Sequence, residues 1–333
     1  MSGTGAVGAM RTPEPVLRAL SGAEGALLCA HVGPDGDTLG AALALGAALE
    51  ALGKRVALTC ADPVPEAYAF LPGSEKFSVP DALAGARFDL AVAVDVASED
   101  RLGAARRLFC AAPRRAVIDH HGTNGRFGDV NWIRPEAAAT GMLIQACVRD
   151  LGAPLTPEMA DCLYVAIATD TGNFSFANTG AGALRAAAEL AEAGANPYRL
   201  TERVYRTRSR AGVELLGRAL ATLQLFAGGR AALMALTARD FAETGATDDM
   251  AEGIVNYAGE IAGVGVAATA REHGGEVKCS LRAREPYDVA ALAKRLGGGG
   301  HTLAAGCSLP PPMEGAIRVL RREMEETLRR PPA

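Results

Sequence analysis

The sequence predicts an α/β protein of two domains: an N-terminal doubly wound, mostly parallel sheet and a smaller C-terminal α/β domain, joined by a helical linker. The first observation is length, because 333 residues exceed the roughly 100–200 residues of a single domain. The second is an alternation in the first half of the chain, where short apolar runs are separated by Ala- and Leu-rich segments. Continuous apolar strands separated by helices are typical of a parallel sheet covered on both faces.

The N-terminal elements follow from that alternation. Apolar runs predict strands at Ala26–Ala30, Arg55–Thr59, Leu90–Val94 and Ala116–Ile118. Helices are predicted at Thr38–Leu52, which Gly53 ends, and at Ala138–Leu151, Pro157–Thr169 and Ala181–Ala193. Together these elements define a predicted domain at residues 15–196.

The pattern changes near Pro197. Tyr198–Ala227 is rich in arginine and predicts one long connecting helix, so residues 197–227 form the predicted linker. A second domain is expected at residues 228–325, with strands at Ala231–Leu236, Val264–Ala270 and Val277–Leu281 and a helix at Tyr287–Leu296. The last two strands form a predicted hairpin through Glu272–Gly275, while Pro310–Pro312 is expected to be a loop and Pro331–Pro332 a frayed tail.

Composition and charge argue against an extended groove for long nucleic acids. Hydrophobic residues make up 49% of the chain and charged residues 22%, as in ordinary globular proteins. The formal net charge is −4, whereas binding of long duplexes depends on Lys and Arg side chains that neutralise many phosphates. We therefore expect no duplex DNA partner, whereas the charge does not exclude a short oligonucleotide or a mononucleotide as substrate.

Neither a membrane span nor a secretory signal is expected. No run reaches the ~20 apolar residues of a membrane span, and Met1–Pro15 lacks the basic-then-apolar order of a signal peptide. The expected location is the cytoplasm, with no membrane partner. The 7 cysteines form no CxxC motif, which predicts reduced, buried thiols rather than a disulfide framework or a zinc site.

Histidines and aspartates cluster where predicted strands and helices end. The clusters are His31, Asp35 and Asp37 in HVGPDGDTLG, Asp95 in AVAVD, Asp119, His120 and His121 in DHHG, and Asp170 in ATDTGNF. In an open parallel sheet, ligands bind at the carboxyl ends of the strands, so these side chains are expected to share a site.

Structural roles remain as alternatives for single members of these clusters. Asp37 could instead cap the helix that starts at Thr38. Asp95 could instead be a helix cap or form an ion pair with Arg101. Asp170 lies at the end of a predicted helix, where a carboxylate opposes the helix dipole, so a cation is expected near it.

Taken together, the clusters predict a metal site. Six candidate ligands are too many for one ion with an open position but suit two divalent ions with one bridging carboxylate; they are His31, Asp35, Asp37, Asp95, His120 and Asp170. A mixed carboxylate and imidazole set without thiolate fits Mn²⁺, with Mg²⁺, Co²⁺ or Zn²⁺ as alternatives. A pair of ions about 3.5–4 Å apart is suited to phosphoryl transfer, because it lowers the pKa of a bridging water and stabilises an in-line displacement.

A second candidate site lies in the C-terminal domain. Arg282 and Arg284 belong to a basic strand, and the glycine run Gly297–Gly300 is followed by His301. Backbone N–H groups of a glycine run approach phosphates closely, especially where a helix follows, and arginine binds phosphate through two hydrogen bonds. The alternative is a flexible glycine loop beside solvated arginines, and we favour anion binding.

These motifs resemble those of the DHH phosphoesterases. HxxPDxDxxG at His31–Gly40, the strand-end Asp95, DHH at Asp119–His121 and TDTGxF at Thr169–Phe174 match the catalytic domain of that family. SxRxR at Ser280–Arg284 and GGGGHxxAAG at Gly297–Gly306 are similar to its associated C-terminal domain, except that Ala283 stands where a small hydroxyl residue is expected. The resemblance covers nearly the whole chain.

The resemblance implies a role for each candidate residue. His31, Asp35 and Asp95 would hold one metal, and Asp37, Asp95, His120 and Asp170 the other, with Asp95 bridging. His121 would face the scissile phosphate and Asp119 would orient an imidazole. The substrate's 5′ end would be bound by residues of the C-terminal domain, namely Arg282, Arg284, Gly298, Gly299, Gly300 and His301.

The resemblance also implies an activity. The chain length is most similar to family members that degrade very short oligoribonucleotides to mononucleotides and dephosphorylate 3′-phosphoadenosine 5′-phosphate, through attack by a metal-bound hydroxide. The expected partners are therefore short oligoribonucleotides and small nucleotides, and the expected state is a monomer or homodimer. A cyclic or linear dinucleotide phosphodiesterase, a RecJ-like single-strand exonuclease and a nucleotide sensor without turnover are the alternatives.

Overall fold

The chain forms two compact units that divide between Thr207 and Arg208. The computed structural model describes residues 10–329, so Pro331–Pro332 and most of the segment Met1–Pro15 fall outside the described residues. Each unit contains its own six-stranded sheet, which confirms the predicted α/β fold. The domain limits expected at residues 196 and 228 stay predictions.

All strands of the first unit run parallel. They are β1 (Gly25–Cys29), β2 (Arg55–Thr59), β3 (Phe77–Ser78), β4 (Leu90–Val94), β5 (Arg115–Asp119) and β6 (Val130–Ile133). Their order across the sheet is β3-β2-β1-β4-β5-β6. The direction of winding therefore reverses between β1 and β4, and such a reversal is where open α/β sheets bind ligands.

Helices connect these strands close to the predicted positions. They are α1 (Glu14–Gly22), α2 (Gly36–Ala51), α3 (Arg106–Ala111), α4 (Thr140–Asp150), α5 (Pro157–Asp170), α6 (Ala181–Glu192) and α7 (Pro197–Thr201). Short 3₁₀ turns complete the unit at Glu66–Tyr68, Ser74–Lys76, Pro80–Leu83 and Glu99–Ala105. The predicted helix starts at Thr38 and Ala138 differ from the observed starts by two residues each.

Both faces of this sheet are covered, as the apolar strands predicted. Ala26 and Leu28 of β1 pack into the larger core together with residues of α2, α4 and α5. Leu27 and Cys29 point to the opposite face, where Phe109 of α3 belongs to a second cluster. Strand residues alternate between faces, so one apolar strand supplies both cores.

The long helix predicted over Tyr198–Ala227 is wrong. After α7 the chain forms a π-helical turn at Glu202–Arg206, a break at Thr207, and then α8 (Arg210–Ala221) and β7 (Gln224–Phe226). Contacts within the first unit compete with a continuous helix there: the Tyr205 hydroxyl donates to the Ala168 carbonyl at 2.7 Å. The next helix then starts anew, because Ser209 caps α8 by accepting from the Gly212 N–H.

The second unit has a mixed sheet. Besides β7 it contains β8 (Ala231–Leu236), β9 (Val266–His273), β10 (Glu276–Ala283), β11 (Gly299–His301) and β12 (Ala304–Leu309). The order is β11-β12-β10-β9-β8-β7, and only β8 and β9 pair in parallel. The predicted hairpin is present, with His273 paired to Glu276 across a Gly274-Gly275 turn in which both φ angles are positive.

Helices cover both faces of this second sheet. Besides α8 they are α9 (Ala238–Thr244), α10 (Ile254–Gly259), α11 (Val289–Arg295) and α12 (Met313–Arg329), with a 3₁₀ turn at Asp248–Ala251. Leu292 of α11 and Leu320 of α12 belong to one core cluster, while Leu215 of α8 and Ile254 of α10 belong to the other. The sequence interpretation missed α12.

Two global expectations are checked by the described residues. Among residues 10–329, no helix has the length and apolar character needed to cross a bilayer. Six cysteines are buried as predicted, whereas Cys110 is exposed, so the expected burial is wrong for that one residue.

Replacement of Gly40 by alanine should destabilise the first unit. A Cβ at Gly40 in α2 would lie 2.3 Å from the carbonyl oxygen of Cys162 in α5, so the helices would have to separate. We expect a loss of about 1–3 kcal/mol in the free energy of unfolding, measured by chemical denaturation.

Gly46→Ala in the same helix is the matched control. Its Cβ would make ordinary contacts with the side chains of Leu28 and Leu58, at 3.4 Å, and of Val56, at 3.5 Å. Alanine is the better helix former by roughly 0.5–1 kcal/mol, so this variant should be neutral or stabilised. Equal destabilisation of the two variants would contradict the proposed close packing of α2 on α5.

Candidate active site

The candidate site lies at the carboxyl ends of β1, β4 and β5, on either side of the point where the strand order reverses. The loop after β1 carries His31 and Asp35, Asp95 follows β4, and Asp119 ends β5 with His120 directly after it. Parallel pairing of β1 with β4 and of β4 with β5 brings these ends together, as the sequence predicted.

One group of ligand atoms consists of His31, Asp35 and Asp95, whose donor atoms all lie within 4.8 Å of one another. His31 Nε2 is 3.5 Å from Asp35 Oδ2 and 3.7 Å from Asp95 Oδ2. The other ring nitrogen, Nδ1, is 2.9 Å from the Val32 carbonyl, and this contact leaves Nε2 facing the two carboxylates.

The second group consists of Asp37, Asp95 and His120. His120 Nε2 is 3.6 Å from Asp95 Oδ1, 3.9 Å from Asp37 Oδ2 and 2.9 Å from Asp170 Oδ2. Its Nδ1 lies 3.1 Å from the Ala137 carbonyl, which orients this ring in the same way as that of His31. Asp170 therefore lies beside the imidazole of His120, and the cation expected near Asp170 stays a prediction.

Asp95 belongs to both groups and is held in an unusual backbone conformation. Its φ angle is +61°, in the left-handed region, and its side chain is 2% exposed. Thr140 Oγ1 donates to Asp95 Oδ1 at 2.8 Å. Strain of this kind persists only where surrounding contacts impose it, and it is common at functional sites. Arg101, an alternative partner of Asp95 in the sequence, lies instead against His31, with Nη2 3.1 Å from Nδ1.

The start of α4 stabilises the negative charge of Asp37. The fully buried Asp37 carboxylate accepts hydrogen bonds from the backbone N–H groups of Thr140, at 2.6 Å, and Gly141, at 2.8 Å. The alternative role of Asp37 as a cap of α2 is wrong. Asp35 is that cap, because it accepts from the N–H groups of Asp37 and Thr38.

Two carboxyl groups of the site, those of Asp37 and Asp170, have raised pKa values because they are buried close to other carboxylates. Burial, then the neighbouring Asp95 and Asp170, raises the pKa of Asp37 well above its usual value. Burial, with Asp95 and Asp35 nearby, raises the pKa of Asp170 to about 6. Carboxylates crowded in this way gain from a bound cation, and oxygen and imidazole ligands suit a divalent metal. The residues present therefore fit a metal centre.

The imidazoles of His31 and His120 are shifted towards their charged forms. Burial alone would lower the pKa of His31, but Asp35 and Asp95 raise it to about 10. Burial likewise opposes a rise at His120, whose pKa the carboxylates of Asp170, Asp95 and Asp37 nevertheless raise to about 11. Without a metal ion, a proton on each of these imidazoles would supply the positive charge that faces the carboxylates.

His121 and Asp119 form a pair beside this centre. His121 Nδ1 is 2.7 Å from Asp119 Oδ1, and the Asp119 carboxylate is fully buried. Burial would lower the pKa of His121, but the hydrogen bond to Asp119 and the charge of Asp95 raise it. This contact is the one that the orienting role implied for Asp119 by the family resemblance requires, and that role stays a prediction.

In the second unit, the structure places Arg282 and His301 in one row of the sheet. Both are paired with Ala304 of β12, Arg282 from β10 and His301 from β11. Directly paired residues point to the same face, so the two side chains flank a small residue. The Arg282 guanidinium donates to Asn256 Oδ1 at 3.1 Å, whereas the exposed Arg284 lies beyond the strand and donates to the Gly259 carbonyl.

At two positions of the glycine run, Gly298 and Gly300, the structure leaves no room for a side chain. A Cβ at Gly298 would lie 2.1 Å from the Gly306 carbonyl oxygen, and one at Gly300 would lie 2.6 Å from that of Ala304. α11 precedes the run and β11 begins at Gly299, so the run leads into a strand and no helix N-terminus adds to an anion site there. Gly299 has no heavy atom within 4 Å of a Cβ position.

Sequence interpretation missed three residues that contact the predicted site residues. They are Thr140, which bonds to Asp95, Asn124, which bonds to Asp119, and Asn256, which bonds to Arg282. Asn124 lies three residues beyond the DHH motif, in a polar segment that follows a predicted strand, so the sequence contained a signal for it. The contact of Thr140 depends on how α4 packs against β4, and no local pattern reports that.

Comparison with known proteins agrees with this description. The N-terminal domain model of the DHH family matches residues 26–167, and the DHHA1 domain model matches residues 214–330. A Thermus thermophilus protein named bifunctional oligoribonuclease and PAP phosphatase NrnA is 38% identical over 303 residues, 90% of this chain and 88% of that protein. The Bacillus subtilis protein of the same name is 26% identical, with 88% and 92% covered.

A solved structure is similar along nearly the whole chain. The crystal structure of an exopolyphosphatase-related protein from Bacteroides fragilis superposes with a TM-score of 0.87 and 25% identity, covering 94% of this chain and 95% of that one. Fold and site thus define a hydrolase of the phosphoesterase class. The chain belongs to the DHH family and combines its N-terminal domain with a DHHA1 domain.

The stability of metal-free protein should depend on Asp170. A carboxyl group whose pKa is raised on folding stabilises the protein below its usual pKa, and that contribution is lost as pH rises through the raised value. For Asp170 the window runs from 3.8 to about 6. We expect the free energy of unfolding in EDTA to fall by on the order of 3 kcal/mol across this window, measured by denaturation at each pH. Asp37 contributes with the same sign.

Asp170→Asn should show a smaller decrease over the same window, because the amide does not titrate. The raised pKa values of His31 and His120 act at higher pH, above about 6.5, and so do not obscure the comparison. An Asp170→Asn protein with the full decrease would contradict the burial and charge assigned to Asp170.

Proposed function

We propose that this protein hydrolyses very short oligoribonucleotides to mononucleotides and removes a phosphate from 3′-phosphoadenosine 5′-phosphate. The observation that carries the proposal is the shared carboxylate of Asp95, which belongs both to the His31–Asp35 group and to the Asp37–His120 group. That arrangement occurs in a chain 38% identical to a protein named for these two activities.

The proposed cofactors are two divalent ions, Mn²⁺ first, with Mg²⁺ or Co²⁺ as substitutes. DHH phosphoesterases use divalent metals. His31, Asp35 and Asp95 would hold one ion, and Asp37, Asp95, His120 and Asp170 the other. Four carboxylates balance two dications, and imidazoles among them favour Mn²⁺ over a purely oxygen-bound Mg²⁺. When bound, the ions supply activation of water and neutralisation of phosphoryl charge.

The side chains of the first unit position and orient the reactants. Thr140 holds Asp95 Oδ1, while the backbone at the start of α4 holds Asp37, so both carboxylates have fixed directions. Asp119 fixes His121 through Nδ1, which directs Nε2 away from Asp119 and towards substrate. His121 then stabilises the charge on the scissile phosphate or helps the leaving ribose oxygen.

The second unit provides the proposed grip on the substrate's 5′ end. Arg282 and His301 share one face of the sheet, and Gly298, Gly299 and Gly300 lie next to His301 in the chain and would complete the grip. Arg284 is the outer member of this proposed set. A grip on one end favours substrates of two to five nucleotides, and the net charge of −4 gives little attraction for long or duplex strands. We further propose a cytoplasmic monomer or homodimer.

The test is hydrolysis of 5′-labelled RNAs from two to about twenty nucleotides, with Mn²⁺ or EDTA, alongside 3′-phosphoadenosine 5′-phosphate. We expect dinucleotides to be consumed fastest and EDTA to stop every reaction, because the carboxylates act through the metals. Equal turnover of the longest strand would indicate a general exonuclease, and absence of cleavage with any divalent ion would overturn the proposal.

Asp95→Asn is the inactive control for this series. Asparagine tolerates a left-handed backbone, so the fold should persist while the bridging charge is lost. We expect kcat with a dinucleotide to fall by about 10³-fold or more, a barrier increase of roughly 4 kcal/mol. A variant within tenfold of the original protein would remove Asp95 from the proposed mechanism.

A further inference from the structure

We propose that Asn124 is a positioning residue of the active site, which fixes the direction of the His121 ring by holding Asp119. The inference rests on the proposed function, since it concerns the same hydrolytic site. No metal ligand is involved directly: Asn124 contacts the carboxylate that contacts His121.

Both the nitrogen and the oxygen of the Asn124 side-chain amide are hydrogen-bonded. Its Nδ2 donates to Asp119 Oδ2 at 2.6 Å and to the Val96 carbonyl at 2.8 Å. Its Oδ1 accepts from the backbone N–H of Arg126 at 2.7 Å. An amide nitrogen has two hydrogens to donate, so both are used, and rotation of the side chain would break all three bonds.

These bonds connect the exits of two neighbouring strands. Val96 follows Asp95 at the end of β4, and Asp119 ends β5. Two backbone hydrogen bonds support the same arrangement. The Gly125 N–H donates to the Ala97 carbonyl at 3.3 Å, which connects the two strand exits, and the Asn124 N–H donates to the His121 carbonyl at 3.1 Å, within the loop after β5. Asn124 thereby sets the position of the loop carrying His121 relative to the strand end carrying Asp95.

The Asp119 carboxylate transmits this position to His121. Oδ1 accepts from the backbone N–H of His121, at 3.2 Å, and lies 2.7 Å from its Nδ1, while Oδ2 accepts from Asn124. Asp119 is fully buried, so a lost donor at Oδ2 is costly and leaves the carboxylate free to turn towards another donor. A turn of the carboxylate would rotate the His121 ring with it.

The chain offers a matched control. Asn131 is also half-buried, and its amide makes two bonds to one backbone unit, Nδ2 to the Gly128 carbonyl at 2.7 Å and Oδ1 from the Gly128 N–H at 3.1 Å. It lies in β6, within the same unit, and these two bonds do not involve Asp119 or its neighbours. Asn131→Ala therefore loses a comparable amide without disturbing Asp119.

The experiment is a double-mutant cycle with His121→Asn, whose amide can still donate to Asp119 but which has no ring nitrogen to direct. Asn124→Ala alone should lower kcat for a dinucleotide about 10–100-fold, with KM nearly unchanged. In the His121→Asn background the same replacement should change kcat by no more than about twofold. Asn131→Ala should leave kcat unchanged in both backgrounds. Thermal unfolding of every variant corrects for the folded fraction.

A structural readout separates this proposal from the proposed function. In protein labelled with ¹⁵N-histidine, the Nδ1–H resonance of His121 should be observed in the original chain and in Asn131→Ala, and should shift or broaden in Asn124→Ala. If the original protein cleaves no phosphoester but shows this pattern, the proposed function fails and the positioning role stands. An equal loss of kcat in both backgrounds, or an unchanged resonance in Asn124→Ala, would overturn the positioning role.

Discussion

The organisation of the candidate active site depends on one buried carboxylate. Asp95 lies where the sheet reverses its winding, has a left-handed backbone, and contributes an oxygen to each of two ligand groups. A buried carboxylate is costly without partners, and this one is surrounded by them: the Thr140 hydroxyl and the rings of His31 and His120. The elements that bring these partners are β1, β5 and α4.

The surrounding structure can be understood as support for that charge. The start of α4 is close to the sheet because α2 and α5 pack tightly, with glycines at Gly40 and Gly141 where a Cβ would meet a neighbouring helix. The backbone N–H groups of Thr140 and Gly141, at the start of α4, donate to the Asp37 carboxylate, and the Thr140 hydroxyl donates to Asp95. Packing of apolar helices therefore determines the direction of the polar groups, so stability and site geometry are linked.

Much of this was predictable from the sequence, for a physical reason. Strands β2, β4 and β8 were predicted to the residue, and β4 shows the reason most clearly, because a fully buried parallel strand is a continuous apolar run. The site residues were recognisable because several polar residues follow directly after such runs. Their convergence follows from the parallel topology, in which every strand ends at the same edge.

What escaped prediction depends on contacts between distant segments. The chain after α7 forms a π-helical turn, because Tyr205 and Thr201 bond to residues near Asp170 rather than continuing a regular helix. The exchange of roles between Asp35 and Asp37 depends on α4, which lies about a hundred residues later. Helix α12 is a different case, since Ala316, Leu320 and Met324 recur at helical spacing and the signal was present.

The most direct test of the account is anomalous diffraction at the manganese edge from crystals grown with Mn²⁺. The account predicts two peaks in the first unit, about 3.5–4 Å apart, with an oxygen of Asp95 bound to each ion. A single peak, or a pair that Asp95 does not connect, would contradict the central claim that one carboxylate holds the two halves of the site together.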